Sequence, residues 1–403
     1  MKKHLLLVGA LFAVCLIECS AIKKGIVVVP VADLVGDPIS RLFPNHSPDY
    51  SYSNLPWSCY QGHYGANARL HQLLLHEQVT IVCSTKHEVC VEIPQVFYTT
   101  RTVTAPQIRY WTLKKNIMPL SATVEKLIPP AVDFHNPQSA YTPNVAHLLE
   151  PWHVKELDLT FSAGTRFCIH SHTSKNNTIP LYALNPTTHS MKLIHIPRTL
   201  LHIQNSSHSQ RITDFITVCQ RWARTPKGDI AYTLGGCSYV QAHESKQFSR
   251  SKCPLTQRSF YRYNRPNEHP TKTGLDCSNL ILRAAQIAGL PYFYKNTHTV
   301  EQNLRSLAVN EPIESGDIVW MPGHVLIISD AQKGLCVEAH SYDGGYGIVH
   351  ELPLEKVFKG ITSSSTLAHA AHSGKTFYRL HKNGKVQQVY TNVKILKLRS
   401  LFK

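Results

Sequence analysis

Two hydrophobic periods run along this chain, and they divide it. From residue 22 to about 205 the apolar positions come in short runs of β-branched and alternating residues. Ile26 to Val31 is one such run, and Val79–Cys83 and Val89–Ile93 read as a hairpin pair. Thr102–Thr112, Leu157–Phe161, Thr165–His170 and Met191–Ile196 predict further strands. Turn residues punctuate them at Gly36-Asp37-Pro38, Pro129-Pro130, Asn136-Pro137 and Asn185-Pro186. Strands of this length and spacing predict two small β-barrels, over 22–135 and 150–205. The period then changes. Ile212, Phe215, Ile216, Cys219 and Trp222 recur at helical spacing, which predicts a helix over 210–224. Leu280, Ile281, Ala284, Ala285 and Ala288 form a second apolar stripe, with Gly289 and Pro291 to end it. Ile318–Trp320, His324–Ser329 and Leu335–Ala339 predict successive strands, and the basic residues 381–403 form a C-terminal extension.

Composition changes this picture in three ways. Lys2 and Lys3 precede an apolar run from Leu5 to Ile17, and Cys19-Ser20-Ala21 offers small residues for a cut, so 1–21 reads as a signal peptide. No later segment is long and apolar enough to span a membrane, which predicts a periplasmic or secreted protein. The formal charge of +16 favours polyanionic partners, and the lack of a concentrated Lys/Arg run argues against nucleic acid. Of the eleven cysteines, Cys83 with Cys90 and Cys237 with Cys253 are placed for local bridges, with buried free thiols as the alternative.

The chemistry centres on Asp276-Cys277-Ser278. Cys277 stands directly before the second helical stripe, where unpaired backbone N–H groups and the helix dipole are expected to lower a thiol pKa. His324 follows 47 residues later on a predicted strand, and His340 a further 16 residues on, on the neighbouring strand. Nucleophile, general base and a partner that fixes the base's tautomer come in that order. Cys168, His170 and His172 share one strand face, but with no fourth ligand identifiable no metal site is assigned, and no cofactor is called for.

Residues 209–380 resemble the NlpC/P-sixty family of papain-like cysteine peptidases. Tyr232-Thr233-Leu234-Gly235-Gly236, Asp276-Cys277-Ser278, Thr299-Val300-Glu301-Gln302, Gly316-Asp317-Ile318-Val319 and His324-Val325 are similar to its ordered motifs, and His340 falls where its third catalytic residue is found. The resemblance implies an α+β papain-like catalytic domain with Cys277, His324 and His340 as catalytic residues. It further implies that Tyr232, Asp276 and Ser278 bind the substrate, a peptidoglycan stem peptide or muropeptide cut between γ-D-glutamate and a diamino acid. Val29 to Leu34 and the hairpin near 79–93 resemble the start of the bacterial SH3-like domains that precede such peptidases, with Tyr110-Trp111 either an aromatic wall or a core pair.

The chain departs from the family pattern in three places. Asn279 and Leu326 stand where glycines are usual, and 39 residues separate Gly236 from Asp276. That insertion carries Lys246, Arg250, Lys252, Arg258, Arg262 and Arg265. Two other readings use the same residues: an amidase or acyltransferase acting through Cys277, and an inactive wall-binding protein.

Overall fold

The computed structural model describes residues 23–53, 55, 69–100, 105–171, 176–226, 229–240, 260–261 and 271–402. The leader 1–21, Cys253, His172 and the six basic residues of the insertion lie outside the described residues.

The N-terminal third is one antiparallel seven-stranded sheet. In spatial order its strands are Arg69–Leu74, Val31–Val35, Arg109–Leu113, Glu88–Glu92, Gln78–Ser84, Lys23–Val27 and Ile117–Pro119. The expected run Ile26–Val31 is divided between two strands, with Pro30 in the turn between them. The hairpin forms where predicted and sets Cys83 opposite Cys90. Both are free thiols, as are the other five described cysteines. Tyr110 is a core residue whose Oη donates to Gln107 O at 2.8 Å.

Among the described residues no pairing joins the two edge strands, so this sheet is open where a closed barrel was expected. The edge strand Arg69–Leu74 is engaged elsewhere. Buried Gln72 donates through Nε2 to Asp33 Oδ1 (2.8 Å) and Lys272 O (2.6 Å). Its Oε1 accepts from Cys237 N (2.9 Å) and Ser238 Oγ (2.7 Å). One amide therefore ties the first sheet to Cys237–Ser238 and to Lys272, in the segments that precede the helix starting at Cys277. Gln72→Ala leaves several of these buried groups without partners and is expected to destabilise the protein by about 2–4 kcal/mol in urea or thermal melts. A change within about 0.5 kcal/mol would mean that this junction contributes nothing.

Residues 145–203 form three small antiparallel groups: Val145–Leu148 between Arg166–Cys168 and Leu201–Ile203, Trp152–Val154 with Leu159–Phe161, and Thr178–Leu184 with Met191–Pro197. They close over their own core of Phe161, Phe167, Leu181 and Ile196.

The remainder is mixed α and β. Helix His208–Ala223 starts on Ser207, whose side chain accepts from Gln210 N, and buries Ile212, Phe215, Cys219 and Trp222. Helix Cys277–Ala288 ends where Gly289 takes φ 75° and Leu290 N returns to Ala285 O. Both lie on a five-stranded antiparallel sheet ordered Ile348–Pro353, Leu335–His340, His324–Asp330, Ile318–Met321 and Lys394–Leu396. Residues 381–403, read from sequence as an extension, thus supply a strand of this sheet, in which Ile395 and Leu396 are both buried, one in each of the two cores on its faces.

Alternation assigns the two faces of the sheet. Trp320, Val325, Ile327, Val337 and Ala339 face the helices and share a core with Leu280, Ile281 and Leu73 of the first sheet. Met321, Leu326, Ile328 and Cys336 face a second core closed by Phe358, Leu367, Phe377 and Tyr390. Leu326, fully buried there, is therefore a core residue. Among the described residues no helix is long and apolar enough to cross a membrane.

Candidate active site

The segments before Cys277 are pressed together by two glycines. Gly235 sits at φ 70°, and a Cβ there would lie 2.3 Å from Arg69 O of the first sheet. A Cβ on Gly236 would lie 2.6 Å from Gly274 O. Side chains at these positions would push the first sheet away from the helix start. Tyr232 pairs in parallel with Leu275. It is buried, with its carbonyl accepting from Tyr342 Oη (3.3 Å) and the two rings edge to face at 6.4 Å.

Asp276 is the N-cap of the helix Cys277–Ala288. Its Oδ1 accepts from Asn279 N (2.7 Å) and Ser278 Oγ (3.1 Å), and its Oδ2 from Gly235 N (3.0 Å) and Asn279 Nδ2 (2.9 Å). Lys295 Nζ stands 3.8 Å away. Asn279 is thus turned back onto the cap and is fully buried, which accounts for its standing where a glycine is usual. Asp276 and Ser278, expected from the resemblance to touch substrate, direct these hydrogen bonds to the start of the helix.

Cys277 occupies the first position of the helix, 8% exposed. Its sulfur is within reach of the backbone N–H groups of Ser278 and Val325. The thiol nevertheless departs from the sequence expectation. Burial, seconded by the adjacent Asp276 carboxylate, pushes it up to about 12, against which the two N–H groups and Lys295 act only in part. At neutral pH it is a protonated thiol. Iodoacetamide is therefore expected to modify Cys277 at least about tenfold more slowly than free cysteine at pH 7.5, at a rate that climbs beyond pH 10. Peptide mapping by mass spectrometry reads this, and a plateau below pH 8 would show a preformed thiolate instead.

His324 begins the central strand. Its Nε2 is 2.6 Å from Glu338 Oε2. Glu338 is fully buried and also receives His350 Nε2 (2.9 Å, Oε1) and Arg379 Nη2 (2.6 Å to each oxygen). Burial works to raise this carboxyl, but Arg379 and the surrounding histidines outweigh it and hold the pKa well below the usual carboxylate range. An ionised carboxylate only accepts, so the proton of the His324 ring sits on Nε2. Burial, chiefly, lowers the His324 pKa against the pull of Glu338. The ring is then neutral, and its Nδ1 carries a lone pair with no hydrogen-bond partner among the described residues. That is the protonation state of a general base. No hydrogen bond joins Cys277 Sγ to His324 among the described residues. The next residue after His324, Val325, brings its backbone N–H to the sulfur.

His340 lies on the neighbouring strand as expected, and its ring meets that of His324 edge to face at 5.4 Å. The hydrogen bond to His324 that was expected of His340 is made by Glu338 instead, and His340 Nδ1 is buried without a partner. The reason is register. Glu338 and His340 share one face of the strand, and the carboxylate two residues earlier reaches diagonally across to the imidazole. Glu338 stood in the same short segment and carried a usable signal, a buried-side carboxylate next to an expected base. Arg379 carried none, since it arrives from the hairpin of Phe377–Leu380 and Val386–Tyr390. Asp317, of the Gly-Asp motif, receives Lys397 Nζ at 2.8 Å and closes the turn from Glu314.

Among the described residues no group of three or more His, Cys, Asp or Glu side chains is arranged to hold a metal ion. Of the Cys168 strand, His170 Nδ1 bonds Tyr182 Oη at 2.6 Å.

No family model and no curated protein matches this sequence. Among solved structures, it is similar to an NlpC/P-sixty family protein from Bacillus cereus, with 13% identity over 82% of this chain and 94% of that one, at a TM-score of 0.48. It is also similar to NlpC1 from Trichomonas vaginalis, with 11% identity over 85% of this chain and 92% of that one, at a TM-score of 0.30. A second Trichomonas vaginalis protein, NlpC2, gives 10% identity, 83% and 95% coverage, and a TM-score of 0.28.

Proposed function

We propose that this protein is an exported cysteine endopeptidase of the peptidoglycan, cutting stem peptides between γ-D-glutamate and the diamino acid. The observation that supports it most is the His324–Glu338 pair, which leaves Nδ1 unprotonated one residue from the backbone N–H that meets Cys277 Sγ. The ordered motifs from Tyr232 to His340 support the family, and with it the substrate.

In this reading Cys277 Sγ attacks the scissile carbonyl carbon while its proton passes to His324 Nδ1. The C–N bond breaks and the departing amine takes that proton, leaving a thioester on Cys277. Water then adds with Nδ1 as base, and the acid leaves as the thiol is restored. Backbone N–H groups at the helix start hold the oxyanion. Glu338 is the residue that fixes the tautomer of His324, and His340 packs the ring in place. Because the resting thiol is neutral, proton transfer accompanies attack rather than preceding it.

Mass spectrometry of the mature protein with L-Ala-γ-D-Glu-meso-diaminopimelate tests this reading. Release of L-Ala-γ-D-Glu, absent in Cys277→Ala, supports it. The buried neutral thiol favours one other reading, a wall-binding protein without turnover. No release from the tripeptide, from muropeptides or from sacculi would favour that reading.

A further inference from the structure

The hairpin of Gln78–Ser84 and Glu88–Glu92 sets two thiols face to face by way of a bulge. Ile81 pairs with Val91, and the ladder resumes with Cys83 opposite Cys90 and Ser84 opposite Val89. In a regular ladder Val82 would stand opposite Cys90. The one extra residue brings the cysteine into register instead. Facing residues of an antiparallel ladder have Cα atoms about 4.5–5.5 Å apart, inside the range of about 4.4–6.8 Å that a disulfide spans. The two thiols are within hydrogen-bonding reach of each other. No other two of the described cysteines face each other across a ladder.

Packing gives the pair no other role. Val89 and Val91 face the large core, whereas Cys83 and Cys90 belong to none of the apolar cores among the described residues. Their face of the sheet also carries Glu92, which pairs with Arg109 at 2.9 Å. In the folded protein the pair is slow to react. Both residues are buried, and burial, seconded by Cys83, pushes the Cys90 thiol up to about 12, with Arg109 opposing only in part. The hairpin, however, is local. Eight residues span Cys83 to Cys90. Thr85 closes the turn, its N donating to Glu88 O (2.8 Å) and its Oγ1 accepting from Glu88 N (3.0 Å). Such contacts form before strands remote in sequence arrive to cover them.

We propose that Cys83 and Cys90 close into a disulfide as this hairpin forms, by exchange with a low-molecular-weight disulfide of an oxidising compartment. One cysteine attacks a sulfur of the external disulfide, whose S–S bond breaks and releases one thiol. The second cysteine attacks the mixed disulfide and releases the other thiol. The protein thiols are oxidised, the external disulfide is reduced, and both protons leave on the released thiols. The inference stands apart from the chemistry of Cys277.

Two samples of the full chain test it. One is denatured, reduced and refolded in oxidised and reduced glutathione; the other is native, reduced protein exposed to oxidised glutathione alone. Each is denatured, its free thiols are alkylated with iodoacetamide, and its peptides are mapped by mass spectrometry. The refolded sample is expected to hold Cys83 and Cys90 linked to each other and lighter by two hydrogens, with Cys277 alkylated. Its Tm should stand about 4 °C above that of the same sample after dithiothreitol. Cys83→Ser should leave Cys90 open to alkylation and abolish the response of Tm to reductant, and Cys90→Ser should do the same for Cys83. Linkage in the refolded sample alone assigns closure to folding, as proposed, whereas equal linkage in native protein would overturn that timing. Alkylation of both residues in both samples, or linkage of either one to a third cysteine, would overturn the disulfide itself.

Discussion

Replacing Cys277 with alanine is expected to lower stem-peptide hydrolysis by at least about 10⁴-fold, because the covalent route disappears and no other group stands at the helix start to replace it. The fold should survive. Asp276 caps the helix through its own carboxylate and the amide of Asn279, and neither bond involves the sulfur. Removing one sulfur from a site 8% exposed costs about 1 kcal/mol. Loss of activity with a melting curve near that of the native protein is thus the expected pair of results. Retained turnover would remove Cys277 from the mechanism.

Glu338→Gln is expected to have the second largest effect, and on two readouts at once. Arg379 loses the charge that matches it in a buried site, which destabilises the protein by about 3–5 kcal/mol. His324 also loses its charged acceptor, since the amide keeps a single oxygen for which Arg379 and His350 compete, so turnover should fall by about 10²-fold or more even below the melting transition. A structural role alone would lower Tm and leave turnover per folded molecule unchanged. His340→Ala removes packing but not the hydrogen bond, and should cost less on both counts. The carboxylate also sets an acid limit. Its folded pKa is depressed, so its contribution to stability is complete above the ordinary glutamate pKa of about 4.3 and is lost as pH falls towards the folded value. Native Tm should therefore drop in acid below about pH 4, and less steeply in Glu338→Gln.

The helix Cys277–Ala288 was legible in the sequence because its signals are local: an Asp cap, an apolar stripe of period 3.6, and Gly289 before Pro291. The order of Cys277, His324 and His340 was legible for the same reason, each standing at the start or end of a strongly patterned element. What could not be read was which side chain completes the base. His340 and Glu338 have the same parity on one strand, and the choice between them depends on the diagonal reach across the ladder and on Arg379, which arrives 41 residues later. The protonation of Cys277 was misread for a related reason. A helix N-terminus lowers a thiol pKa, but burial beside Asp276 raises it by more, and burial is a property of the assembled cores. The open first sheet was equally illegible, since its edge is engaged through Gln72 by residues some 165 positions away.

The strand Lys394–Leu396 bears on the timing of assembly. It pairs with Ile318–Trp320, so the sheet that carries His324 stays incomplete while the intervening residues are being made. Pairings this remote in sequence form late in folding. A nascent chain would present both histidine-bearing strands yet hold an unpaired edge beside them, prone to pair with other chains. Completion of the sheet around His324 is thereby tied to synthesis through residue 396.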